Sequence, residues 1–265
     1  VSLLHTLFNV TNTFILVWFT PQLCKLVTLV IKAPKEEEKY RLKFIQGGLL
    51  STAELSLYQA KQEVVHFARI MKRQYEFAKE AVIKSETDEF DNLFKKLEYY
   101  EQVADRIEFE IAEYLNKIGE EEISAESGSR IQSMYKIIGE LESMGDSGYN
   151  IGRILQRKKI NNIHFDEVMT KNVLSMLALI ERAFDVMIEN LNAGYTRLHD
   201  IANAYDAEHA INECRDNLRE GNLLNLGNNA YSYLVGVYFM DIIGESERVG
   251  DFIINVSESI MEIKS

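Results

Sequence analysis

Proline is almost absent from this chain: Pro21 and Pro34 are the only two, and from Lys35 to the end nothing is forced to interrupt a helix. Cysteine is equally scarce. Cys24 and Cys214 lie far apart, with no CxxC or Cys/His spacing, which excludes a disulfide framework and a cysteine-rich zinc site and suits a reducing compartment. Positive charge is in deficit, with a formal net charge of −12, so nucleic acid is excluded as a natural partner. No phosphate-cradling glycine-rich loop, Walker-type motif or nucleophile elbow occurs. No motif of the polar part of the chain points to an enzyme.

The first Lys or Arg is Lys25, after an opening rich in Leu, Phe, Val and Thr. Residues 1–33 therefore predict a membrane-spanning or re-entrant helix, with the polar cluster Asn9, Thr11, Asn12 and Thr13 facing neighbouring helices or a cavity. A cleaved signal peptide would need a basic start and a small-residue cleavage site, and neither is present. Lys25, Lys32, Lys35, Lys39, Arg41 and Lys43 follow, and the positive-inside bias places the C-terminal part in the cytoplasm. Beginning with Val inside an apolar run, the sequence reads as a piece of a longer polypeptide. Residues 34–47, charged and then ending at Gly47, form the expected linker.

Beyond it, apolar residues recur at helical spacing, as in Leu93, Leu97, Ala104, Ile107, Ile111 and Leu115. Turn signals at 85–88, 119–124, 159–164, 194–198 and Gly221-Asn222 divide 48–263 into six helices, over 49–84, 88–118, 124–158, 166–194, 198–220 and 223–263. The third and sixth share a motif. Ile137-Ile138-Gly139-Glu140-Leu141-Glu142-Ser143-Met144-Gly145-Asp146, then Asn150, returns as Ile242-Ile243-Gly244-Glu245-Ser246-Glu247-Arg248-Val249-Gly250-Asp251, then Asn255. The order is helix, helix, motif helix, twice over. The expected fold is all-α: one N-terminal membrane helix followed by two tandem three-helix bundles, repeat 1 over 48–160 and repeat 2 over 161–263.

Glu142 and Asp146, like Glu247 and Asp251, are four apart and lie on one helical stripe, where like charges repel unless a cation neutralises them. The second helix of each repeat adds Glu101 and Asp105, with Glu108 a turn further on, and Glu208 and Asn212. These eight motif residues, Glu101, Asp105, Glu142, Asp146, Glu208, Asn212, Glu247 and Asp251, predict two metal sites with oxygen ligands, suited to Mg, Ca, Mn or iron. Asn212 stands where an acid is expected, so the second site carries less charge. Gly145 and Gly250 would let a neighbouring helix approach beside the carboxylates. A weaker candidate is Glu63-Val64-Val65-His66, which has no second copy to complete a di-iron set. His164, His199 and His209 read as surface residues, with His209 a weak candidate outer ligand.

Two resemblances extend this reading. His5-Thr6-Leu7-Phe8-Asn9, followed by Thr11-Asn12-Thr13, resembles the closing part of the membrane domain of bacterial sodium/phosphate cotransporter-family proteins. The substrate motifs of that family lie upstream of such a segment, so no transported-ion site is carried over. The doubled three-helix pattern with Glu-x-x-x-Asp resembles the PhoU family over nearly all of 48–263. That resemblance implies two three-helix repeats, regulation of phosphate uptake and signalling, and multinuclear clusters of iron or another divalent metal on these motifs. Together they imply the C-terminal end of a sodium-dependent phosphate transporter-like protein of the cell inner membrane, with a cytoplasmic PhoU-like regulatory domain. Its implied partners are the rest of the transporter membrane domain, a histidine kinase or transport ATPase, and a second copy in a homodimer. The rival readings are a structural helical adaptor bundle without metal and a carboxylate-metal enzyme.

Overall fold

A computed structural model describes His5, Thr6, Phe8, Thr11 and residues 42–50, 52–198 and 200–262. The chain divides into two compact units, 1–41 and 42–265. In the first, His5, Thr6, Phe8 and Thr11 are helical and exposed. The remainder of the expected membrane segment, Asn9 and Asn12 included, lies outside the described residues. Among the described residues, no helix is long and apolar enough to cross a membrane.

The second unit contains six long helices: α1 (Ala53–Ile83), α2 (Phe90–Gly119), α3 (Ala125–Ile160), α4 (Glu167–Arg197), α5 (Ala202–Gly227) and α6 (Tyr233–Met261). No strand occurs among the described residues. Three of the six starts, those of α1, α3 and α4, carry the side-chain caps that helix N-termini favour. Thr52 Oγ1 accepts the Leu55 N–H at 3.3 Å, Ser124 Oγ the Ser127 N–H at 3.1 Å and Asp166 Oδ1 the Met169 N–H at 2.7 Å. One expected boundary is corrected. Gly221-Asn222 is not a turn; α5 runs through it to Gly227, and the chain reverses at Asn228–Ser232, where Asn229 has φ 53°. Asn222 stays helical because its side chain is buried and accepts the Tyr231 hydroxyl at 2.8 Å, a tertiary bond that outweighs the turn preference of Gly-Asn.

Within each repeat the three helices pack on one another, α1 with α2 and α3, and α4 with α5 and α6. Phe67, Met71, Leu97, Ile107, Ile111, Leu115 and Ile138 form the repeat 1 core, each almost wholly removed from water. Such burial stabilises by about 1.5–3 kcal/mol per large side chain. The repeats join through like helices. α3 lies along α6, with Ser133 Oγ donating to the Ser259 carbonyl at 2.6 Å and Asn255 Nδ2 donating to Glu140 Oε2 at 3.2 Å. α1 lies along α4, tied by Lys72 to Asp185 at 2.5 Å, Lys79 to Glu181 at 2.9 Å and the rings of Tyr75 and Phe184 at 5.1 Å. Numbers rise along one helix as they fall along its partner, so both pairs are antiparallel and the repeats are related by an approximate two-fold axis.

Candidate metal centre

The glycine of the motif sets how closely α2 and α3 approach. A Cβ built on Gly145 would stand 2.8 Å from Ala104 Cβ and 3.2 Å from Met71 Sδ. Gln74 of α1, fully buried, donates through Nε2 to the Gly145 carbonyl at 2.8 Å and holds α3 at that height. Asp146 follows Gly145, and Asp105 follows Ala104, so the close approach brings the two acids together. Carboxylate oxygens of Glu101, Asp105 and Asp146 lie within 4.8 Å of one another. Among the described residues no Lys or Arg pairs with any of the three.

The fourth predicted residue of repeat 1, Glu142, is half-buried beside them, and its carboxyl is pushed up to about 7 by burial, then by the negative charges of Asp146, Glu108 and Asp105, against a weaker opposing bond from the Ser143 hydroxyl. Burial and the neighbouring Asp105 and Glu245 raise Asp146; burial, Asp105, Asp146 and Glu98 raise Glu101. Glu98 and Glu245 were not legible as participants. Glu245 comes from α6, across the repeat boundary, and no spacing within repeat 1 points to it.

Repeat 2 is built differently. Asn212 Nδ2 donates to Glu208 Oε1 at 2.5 Å, and Arg215 Nη1 donates to Asn212 Oδ1 at 3.1 Å and to Glu247 Oε1. Asp251 is raised by burial, Glu247 and Glu208, while Arg215 pulls it down. The guanidinium thus ties Asn212 to Glu247, and Asn212 in turn holds Glu208. The signal for it was one turn beyond the motif, at the arginine following Glu208-x-x-x-Asn212. Gly250 repeats the role of Gly145, with a Cβ there meeting Ile211 of α5 at 3.1 Å.

The remaining candidates have other occupations. Glu63 is fully buried, and its Oε2 accepts the backbone N–H groups of Lys43 at 2.9 Å and Phe44 at 2.6 Å. His66 is lowered to about 4 by burial, then by Lys43 and Arg69, and its ring meets Phe44 edge to face. Their shared surroundings are those of a strap on α1. His164 is exposed against Glu86 at 2.7 Å, His209 is exposed, and His199 lies outside the described residues.

Known proteins share this doubled three-helix bundle, which here carries acids where the second and third helices meet. Residues 64–155 match the PhoU domain. The PhoU match takes in Glu101, Asp105, Glu142 and Asp146 together. Two solved structures share the fold. PhoU from Pseudomonas aeruginosa superposes with a TM-score of 0.63 at 14% identity, over 80% of this chain and 98% of its own. The phosphate transport system regulatory protein PhoU from Streptococcus pneumoniae gives 0.61 at 19%, over 81% and 97%. No curated protein sequence matches the chain.

Chemically the repeat 1 centre is an oxygen-only donor set in which burial, and then neighbouring negative charge, raises Glu101, Glu142 and Asp146. A hard divalent cation, or iron, fits that set and removes the repulsion. Glu101, Asp105, Glu142 and Asp146 are the residues that would hold it.

Proposed function

We propose that residues 42–262 form a PhoU-like regulatory domain that binds a divalent metal on Glu101, Asp105, Glu142 and Asp146 and controls phosphate uptake by the membrane protein to which it is joined. The observation that carries the metal part is the convergence of Glu101, Asp105 and Asp146 within 4.8 Å, with no Lys or Arg among the described residues paired to them. Bound metal supplies the positive charge that draws α2 and α3 together. The regulatory part is supported by the PhoU match and by the fold shared with the phosphate transport system regulatory protein of Streptococcus pneumoniae. We read the chain as a regulator and not an enzyme, because the PhoU-like proteins it resembles in fold include a phosphate transport system regulatory protein.

In this reading residues 1–33 end the membrane domain of a sodium/phosphate cotransporter-like protein of the inner membrane, and the helical unit lies in the cytoplasm. The strap formed by Lys43 and Phe44 on Glu63 fixes the segment just after residue 41 to α1, the helix whose Gln74 holds the Gly145 carbonyl beside the acids. A histidine kinase or transport ATPase is the expected external partner, with a second copy in a homodimer.

Phosphate uptake by cells carrying Asp105→Asn with Asp146→Asn in the native chain tests the reading. Uptake that no longer responds to phosphate supply, at an unchanged level of the protein, is the expected result. A normal response contradicts it.

A further inference from the structure

The second helices of the two repeats present their polar side chains at the same spacing. Repeat 1 offers Glu101, Asp105 and Glu108; repeat 2 offers Glu208, Asn212 and Arg215. Arg215 therefore stands at the position of Glu108, and one step of the spacing carries a reversal of charge. In repeat 1, Glu108 adds to the negative field on Glu142. In repeat 2, the Arg215 guanidinium reaches across from α5 to Glu247 on α6, while also donating to Asn212 at 3.1 Å and Asp216 at 3.0 Å. Its side chain is 27% exposed and that of Glu247 20%.

We propose that Arg215 is a built-in cation that takes the place of metal in repeat 2, so that only repeat 1 binds and responds to a divalent ion. This rests on the reading of the repeat 1 acids as a metal site. A guanidinium keeps its proton at any physiological pH, and its planar fork satisfies carboxylate and amide oxygens at once. Metal entering between Glu208 and Glu247 would displace it from Glu247 and Asn212 and leave a half-buried charge holding only Asp216, a cost that adds to the loss of the bonds themselves. Asn212 adds a neutral oxygen where Asp105 adds a charged one. Repeat 1 gathers Glu101, Asp105 and Asp146, with Glu142 and Glu108 beside them, whereas repeat 2 sets Glu208, Glu247 and Asp251 around an arginine. One repeat is permanently closed by its own cation, and the other closes only when metal is supplied. The domain then has one switchable half and one fixed half, which gives metal occupancy a direction along the two-fold pair of bundles.

Titration of the purified full chain with Mn2+, read by calorimetric stoichiometry and by elemental analysis after desalting, tests this. Arg215→Glu combined with Asn212→Asp should roughly double the Mn2+ bound relative to wild type. The reciprocal change, Glu108→Arg, should abolish binding while circular dichroism shows undiminished helix. A double variant that binds no more Mn2+ than wild type, or a Glu108→Arg chain that binds as wild type does, overturns the proposal. A wild-type chain that takes up no Mn2+ refutes the repeat 1 site itself; gain of an ion by the double variant over that baseline still establishes the blocking role of Arg215.

Discussion

Gly145 on α3 and Ala104 on α2 stand so close that a methyl group on Gly145 would lie 2.8 Å from the Ala104 Cβ. The contact joins two uncharged residues, yet it sets the distance between the acids that follow each of them in sequence.

Gly145→Ala should therefore destabilise the protein by about 1–3 kcal/mol, the usual cost of overpacking. It should also weaken metal binding, because α2 and α3 are forced apart beside Asp105 and Asp146. The first glycine of the motif makes a control. A Cβ on Gly139 meets Glu108 Oε1 only at 4.0 Å, and one on Gly244 meets nothing within 4 Å. Gly139→Ala or Gly244→Ala should stabilise by about 0.5–1 kcal/mol through helix propensity. Urea denaturation in chelator reads all three.

The raised acids give a pH dependence whose sign is fixed. Glu142 is pushed up to about 7 from an ordinary 4.5, and Asp146 and Glu101 are raised with it. Between those values the folded state binds more protons than the unfolded chain, so the contribution of this cluster to stability is full below the ordinary value and lost as pH rises through 7. Glu142→Gln should accordingly be more stable than wild type at pH 8 in chelator, with the difference vanishing towards pH 4.5. Saturating Mn2+ should reverse the order at pH 8, since metal and proton compete for the same oxygens. Thermal melts across pH, with and without the ion, check both.

Glu63 gives a prediction for the strap. Glu63→Ala removes the acceptor for two backbone N–H groups, those of Lys43 and Phe44, and should cost about 1–3 kcal/mol. The loosened segment should be cut faster by protease between residues 42 and 50, with the metal stoichiometry unchanged. Equal cleavage rates would show that the segment is held without Glu63, by Ile45 packing and by the Leu50 N–H bond to Ser56.

Much of this was legible in the sequence. The duplicated Ile-Ile-Gly-Glu-x-Glu-x-x-Gly-Asp marked the third helix of each repeat, and four-residue spacing placed Glu101 with Asp105 and Glu142 with Asp146, because helical periodicity is a local property. The features that escaped depend on contacts between distant segments. α5 continues through Gly221-Asn222 because Tyr231 returns to bond Asn222. Glu245 reaches the repeat 1 acids only because α6 packs along α3. Glu63 resembled half of a metal motif, and its true partners are backbone N–H groups that no side-chain pattern records. The weaker charge of repeat 2 was visible at Asn212, and Arg215 stood three residues beyond it, but its bond to Glu247 exists only once α5 and α6 are aligned.

The most direct measurement is the divalent metal held by the full chain after purification without chelator, compared between wild type and Asp105→Asn with Asp146→Asn, and between wild type and Glu247→Gln with Asp251→Asn. The first pair of substitutions should remove the metal and the second leave it in place. Equal metal in all three proteins, or its loss only from the repeat 2 variant, would contradict this.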